Sequence, residues 1–150
     1  MDISKVINVK HINLNMYAQN KEEAIEELTD LLVKNNAIIN KDEFLRDVWL
    51  REEQGATGFE NHIALPHGVS SGVSHTSVAI GKINHPILWD IIDNISVSFI
   101  ILYAVSLNNN DPNISVLTSI SCSLADDIFI DGLLKESDPE NIIKIIKDKI

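Results

Sequence analysis

Cysteine is almost missing from this chain: Cys122 stands alone among 150 residues, so no internal disulfide can form. A lone thiol within an apolar helical pattern fits a reducing, cytoplasmic setting, where it is expected to pack as a small hydrophobe. Basic residues are scarce too. Lys and Arg number 12 against 22 Asp and Glu, a formal net charge of −10. That balance argues against nucleic acid, because phosphate neutralisation needs clustered cations, while a protein partner with a basic surface stays compatible. No apolar run approaches the ~18 residues that span a bilayer. The longest, Phe99-Ile100-Ile101-Leu102-Tyr103-Ala104-Val105, suits a buried strand. The N-terminus lacks the basic-then-apolar order of a signal peptide, so direct membrane insertion is not expected.

Several chemical fingerprints are also lacking. There is no Gly-x-Ser-x-Gly elbow, Walker-type glycine loop or Gly-x-Gly-x-x-Gly turn, which removes sequence support for an esterase, nucleotide hydrolase or dinucleotide enzyme. His11, His62, His75 and His85 show no tight Cys/His/Asp spacing, so no metal site is expected. His11 and His75 are expected on solvated faces and His85, before Pro86, at a turn. Trp49 and Trp89 each sit in an apolar pattern and read as packing residues rather than a sugar-stacking pair.

What is present is enough for a core: 45% of residues are hydrophobic, and the length suits one domain over residues 1–150. His11 to Met16 alternates polar and apolar residues, as a half-buried strand does. Asn20, with Glu23 three residues on, opens a predicted helix whose Ala24, Ile25, Leu28, Leu31 and Leu32 share a face until Asn35-Asn36. A second helix is predicted from about Asp42 to Glu53, burying Phe44, Leu45, Val48 and Trp49, with Arg51 in its last turn. A flexible segment, Gln54-Gly55-Ala56-Thr57-Gly58, leads to the short apolar run Ile63-Ala64-Leu65, halted by Pro66. Strands are predicted at Ser77–Lys82 and Ile95–Val105, with turns at His85-Pro86 and Asp93-Asn94. Asp111-Pro112 and Asp138-Pro139 each read as a helix cap followed by proline at the first helical position. The order of elements implies one α/β domain without internal repeats.

His67 stands between Pro66 and Gly68 where the Ile63-Ala64-Leu65 run gives way to a glycine-containing turn. A neutral imidazole offers a lone pair near pH 7, and reversible phosphoryl transfer needs that lone pair aimed by a constrained backbone. Pro66 fixes one side, and Gly68 lets amides approach an anion without a Cβ in the way. Charge on a transferring phosphoryl group calls for a guanidinium, and Arg51 is the nearest upstream candidate.

The run Arg51-Glu52-Glu53-Gln54-Gly55-Ala56-Thr57-Gly58-Phe59, followed by Ile63-Ala64-Leu65-Pro66-His67-Gly68, closely resembles the active-site signature of the fructose/mannitol family of phosphotransferase-system (PTS) enzyme IIA domains. Pro86-Ile87-Leu88-Trp89 and the strand ending at Val105 extend the resemblance over nearly the whole chain. It implies a three-layer α/β/α sandwich with a small mixed β-sheet and no cofactor. It further implies that His67 takes a phosphoryl group from the phosphohistidine of HPr and passes it to a cysteine of enzyme IIB. Arg51 would be the electrostatic partner of the phosphohistidine, Thr57 and Gly68 lesser phosphate-binding candidates. One departure stands out. Many members carry a second histidine at the start of the helix after the long strand, where this chain has Asn113; a carboxamide can hydrogen-bond a phosphate but cannot become a cation. His62 and Glu60 also stand where the family often has small residues. A rival reading keeps the same histidine but makes the domain a regulatory module, as in nitrogen-related phosphotransferase proteins, switched by phosphorylation.

Overall fold

The computed structural model describes residues 2–108 and 110–150 of the chain. Its first two helices start where asparagine supplies a cap. The Asn20 carboxamide oxygen accepts from the Glu23 amide at 2.8 Å, opening Lys21–Lys34 (α1). Asn40 accepts from the Glu43 amide at 3.1 Å, so Lys41–Glu53 (α2) begins one residue before the predicted start. Between them, Asn36 takes a left-handed φ of 64°, which asparagine tolerates better than most residues. Each helix buries one stripe, Ala24, Ile25, Leu28 and Leu32 from α1 and Phe44 and Val48 from α2. Burial of a large apolar side chain contributes about 1.5–3 kcal/mol.

Five strands, Ile12–Met16 (β1), Ile63–Ala64 (β2), His67–Val69 (β3), Ser77–Asp90 (β4) and Ile95–Val105 (β5), form one mixed sheet. β4 lies between β1, which is parallel to it, and β5, which is antiparallel. The other edge of β5 carries β2 and β3, both parallel. Because side chains alternate along a strand, β5 feeds two cores. Ile100, Leu102 and Ala104 pack with α1 and α2, whereas Phe99, Ile101 and Tyr103 pack with Ile114–Ser123 (α3), Asp127–Lys135 (α4) and Pro139–Lys149 (α5). Helices therefore cover both faces, giving the three-layer α/β/α sandwich that the resemblance implies. No helix is long and apolar enough to cross a membrane among the described residues.

Four local expectations are corrected. His85-Pro86 does not end a strand: β4 continues through it, and the register against β5 slips between Lys82 and Ile87. A bulge accepts proline, because the missing N–H falls where the ladder is already broken. Asp111 does not cap α3; it accepts from the Asn113 amide at 2.9 Å in a turn, and the helix starts at Ile114. His11 is only 4% exposed, and burial pushes its imidazole below the usual histidine range. Cys122 is exposed on α3 rather than packed. By contrast, Asp138 caps α5 as expected, accepting from the Glu140 amide at 3.0 Å.

Candidate functional site

His67 does not follow the end of a strand. The pairs Ile63↔Phe99, Ala64↔Ile100, His67↔Tyr103, Gly68↔Ala104 and Val69↔Val105 keep one constant offset, so β2 and β3 are two pieces of a single edge strand interrupted at Leu65-Pro66. Pro66 has no N–H to lose there. Its carbonyl still accepts from the Tyr103 amide at 3.0 Å, which holds the register across the gap.

The interruption frees the Leu65 carbonyl from the ladder, and it lies 2.9 Å from His67 Nδ1. A carbonyl only accepts, so Nδ1 carries the proton and Nε2 keeps its lone pair in the neutral ring. The half-buried imidazole faces a surface cleft of ≈ 380 Å³ lined also by Arg51, Ala56, Thr57, Phe59, Leu65, Tyr103 and Ser121.

Arg51 reaches this cleft from the last turn of α2. Its Nη1 donates to the Gly55 carbonyl at 2.7 Å, and no carboxylate pairs with it among the described residues. The fork has further donors to offer an anion. Gly55 sits at φ 147°, a conformation that side chains other than hydrogen disfavour, and this bend presents its carbonyl to the guanidinium.

Thr57 also lines the cleft but is 5% exposed. Its hydroxyl donates to Glu52 Oε1 in a short hydrogen bond, and its amide donates to Glu52 Oε2 at 3.3 Å. The same hydroxyl accepts from Trp89 Nε1 at 3.3 Å. The hydroxyl proton is thus already engaged away from a phosphate. The segment expected to be flexible is pinned on its other side as well, since Leu65 N–H donates to the Thr57 carbonyl at 3.0 Å and Phe59 N–H to the Ile63 carbonyl at 2.9 Å.

Gly68 does not line the cleft. A Cβ there would meet Val48 Cγ2 at 3.0 Å and Phe44 Cε1 at 3.2 Å, so the glycine lets α2 pack close against β3. Asn113 does not line the cleft either; it sits half-buried before α3, with no side-chain cap hydrogen bond.

Tyr103 and Ser121 are lining residues that the sequence reading did not single out. The Tyr103 hydroxyl donates to the Leu117 carbonyl at 3.2 Å and pairs with Ser121 Oγ at 2.9 Å. Burial pushes the phenol up to about 12, so it stays protonated at neutral pH. The alternation of β5 gives the face of Tyr103, but nothing local tells that His67 is its cross-strand neighbour. No three His, Cys, Asp or Glu converge as metal ligands among the described residues.

A nitrogen nucleophile with a free lone pair and a guanidinium with uncommitted donors thus share one cleft, which suits a group that must carry a tetrahedral anion reversibly. Comparisons with known proteins give the family and the fold. Over 151 residues the chain is 26% identical to the 2-O-alpha-mannosyl-D-glycerate-specific EIIABC component of a PTS from Escherichia coli, covering 99% of this chain and 23% of that protein. The crystal structure of nitrogen regulatory protein IIA-Ntr from Neisseria meningitidis superposes with a TM-score of 0.83 at 25% identity, covering 96% of this chain and 98% of that one. In fold, the chain also resembles enzyme IIA of the mannitol system from Escherichia coli, solved in complex with phosphorylated enzyme IIB, at a TM-score of 0.78 and 23% identity over 95% of this chain and 97% of that one. The profile of the phosphoenolpyruvate-dependent sugar phosphotransferase system EIIA 2 family matches residues 5–149, and the chain belongs to this family of EIIA-type phosphoryl carriers.

Proposed function

We propose that His67 Nε2 accepts a phosphoryl group from the phosphohistidine of HPr and passes it to a cysteine of enzyme IIB during sugar uptake. The observation that carries this reading is the 2.9 Å bond from His67 Nδ1 to the Leu65 carbonyl. A proton held on Nδ1 by that bond leaves the lone pair on Nε2. In the first step the N–P bond of the donor histidine breaks as the Nε2–P bond forms; the His67 proton stays on Nδ1, and the donor ring recovers its lone pair. In the second, a cysteine thiolate takes the phosphoryl group and Nε2 recovers its own lone pair.

Arg51 offsets the charge on the equatorial oxygens in both steps. Thr57 acts by shaping the wall of the cleft, and Gly68 by letting α2 approach. Asn113 lies outside the lining of the cleft. It takes part only if the phosphorylated site or a docked partner brings its carboxamide to the phosphate, and it would then add a hydrogen bond but no charge. Residues 1–150 act as one such domain, in the cytoplasm, without a cofactor.

Incubation with enzyme I, HPr and phosphoenolpyruvate, followed by mass spectrometry under conditions that preserve acid-labile phosphohistidine, tests the reading. One phosphoryl group is expected on the native chain and none on His67→Ala. Equal labelling of His67→Ala would refute the assignment.

The likeness to a nitrogen regulatory IIA protein favours a second reading, in which phosphorylation of His67 alters binding to another protein. Rapid transfer from the phosphorylated chain to an enzyme IIB cysteine supports transport; a persistent phosphoform with changed partner affinity supports regulation.

A further inference from the structure

Arg51 and Glu52 are consecutive in the last turn of α2, so their side chains leave the helix about 100° apart. Arg51 turns to the His67 cleft. Glu52 turns to the opposite side of the 54–58 segment, where its side chain is only 3% exposed. Both hold that segment: Arg51 takes the Gly55 carbonyl, and Glu52 takes the Thr57 amide and hydroxyl.

A buried carboxylate needs a counter-charge, and it comes from the start of α1. Lys21 Nζ lies 2.5 Å from Glu52 Oε2 with 14% of its side chain exposed. The ammonium also donates to the Trp89 carbonyl at 3.5 Å and sits 5.8 and 5.2 Å from the ring centroids of Trp49 and Trp89. Neither charge lines the His67 cleft; both line a second hollow behind it, and Ala56 lies in the wall shared by the two.

We propose that Lys21 and Glu52 are a positioning pair for phosphoryl transfer, holding Thr57 and through it the 54–58 wall so that Arg51 and His67 stay aimed at one point. The proposal rests on the phosphocarrier reading above. Taking away one partner strands the other charge in a buried site, where it must draw in water or move, and the wall moves with it. Because neither residue lines the His67 cleft, the pair is assigned to the transfer step rather than to partner binding, and half-saturation is the readout that separates the two.

Single-turnover transfer from phospho-HPr to the full chain tests this, each variant being held at a temperature where circular dichroism reports it folded. Lys21→Met and Glu52→Gln should each slow the rate at saturating donor by roughly 10- to 100-fold, as small misplacements do, with half-saturation unchanged. The double variant, which strands no charge and keeps a Gln oxygen for Thr57, should recover to within about threefold of the native rate, as coupling between contacting sites requires. Lys21→Arg should keep most activity. If a single variant fails to fold, Thr57→Val removes the hydroxyl bond to Glu52, leaves the amide bond, strands no charge, and should slow transfer with half-saturation unchanged.

Native rates in the folded single variants or in Thr57→Val would overturn the proposal, as would a double variant slowed by the combined factors of the two singles. A native chain that takes no phosphoryl group would overturn the phosphocarrier reading itself, before any variant is compared.

Discussion

His67 and Arg51 look into the same cleft and are held there by different kinds of bond. On the β3 side, backbone pairing to β5 and the Pro66 carbonyl set the position of the ring, and a main-chain carbonyl sets its tautomer. No side chain other than the imidazole itself is needed. On the α2 side, the guanidinium leans on one carbonyl, and the wall beside it hangs on Glu52, Lys21, Thr57 and Trp89. A position written in the backbone ladder tolerates single substitutions around it. One written in side chains, with a buried Glu52 paired to a half-buried Lys21, does not.

The sharpest way to press this contrast is to cut the α2 side at its tip. Arg51→Ala should leave the fold and the His67 tautomer unchanged yet slow transfer by about 2–4 kcal/mol in barrier, the usual worth of a preorganised donor to transition-state charge. Single-turnover rates check it, and an unchanged rate would make Arg51 a structural residue. A smaller effect is expected where the two sides meet. Gly68→Ala drives a Cβ against Val48 and Phe44 and should cost about 1–3 kcal/mol of stability through overpacking. Chemical denaturation reads this directly; full stability in Gly68→Ala would mean that α2 and β3 give way easily and are less rigidly joined than the contacts imply.

How far the sequence reveals this arrangement follows the same division. Local signals place α1, β5 and α5, because caps at Asn20 and Asp138 and an unbroken apolar run act within a few residues. The Arg51 and His67 motifs stand out for the same reason. What escapes is set by distant contacts. Pro66 reads as a stop, yet β5 supplies the register that carries the strand past it. His85-Pro86 reads as a turn, yet pairing with β5 on both sides turns it into a bulge. Tyr103 and Ser121 enter the cleft through cross-strand and helix packing, and Gly68 leaves room for Val48 and Phe44 of α2, which lie some 20 residues earlier in the chain. Thr57 is recognisable as part of the motif, but only the buried Glu52 beside it shows that its hydroxyl proton is spoken for.

Phosphoryl transfer through His67 turns on one hydrogen bond: the Leu65 carbonyl reserves Nδ1 and leaves Nε2 as the proposed nucleophile. The most direct test is nitrogen and phosphorus NMR on the phosphorylated chain labelled with 15N at histidine. The expected result is a phosphorus coupling at His67 Nε2 with the proton retained on Nδ1. Coupling at Nδ1, or a phosphoryl group on any other histidine, would contradict it.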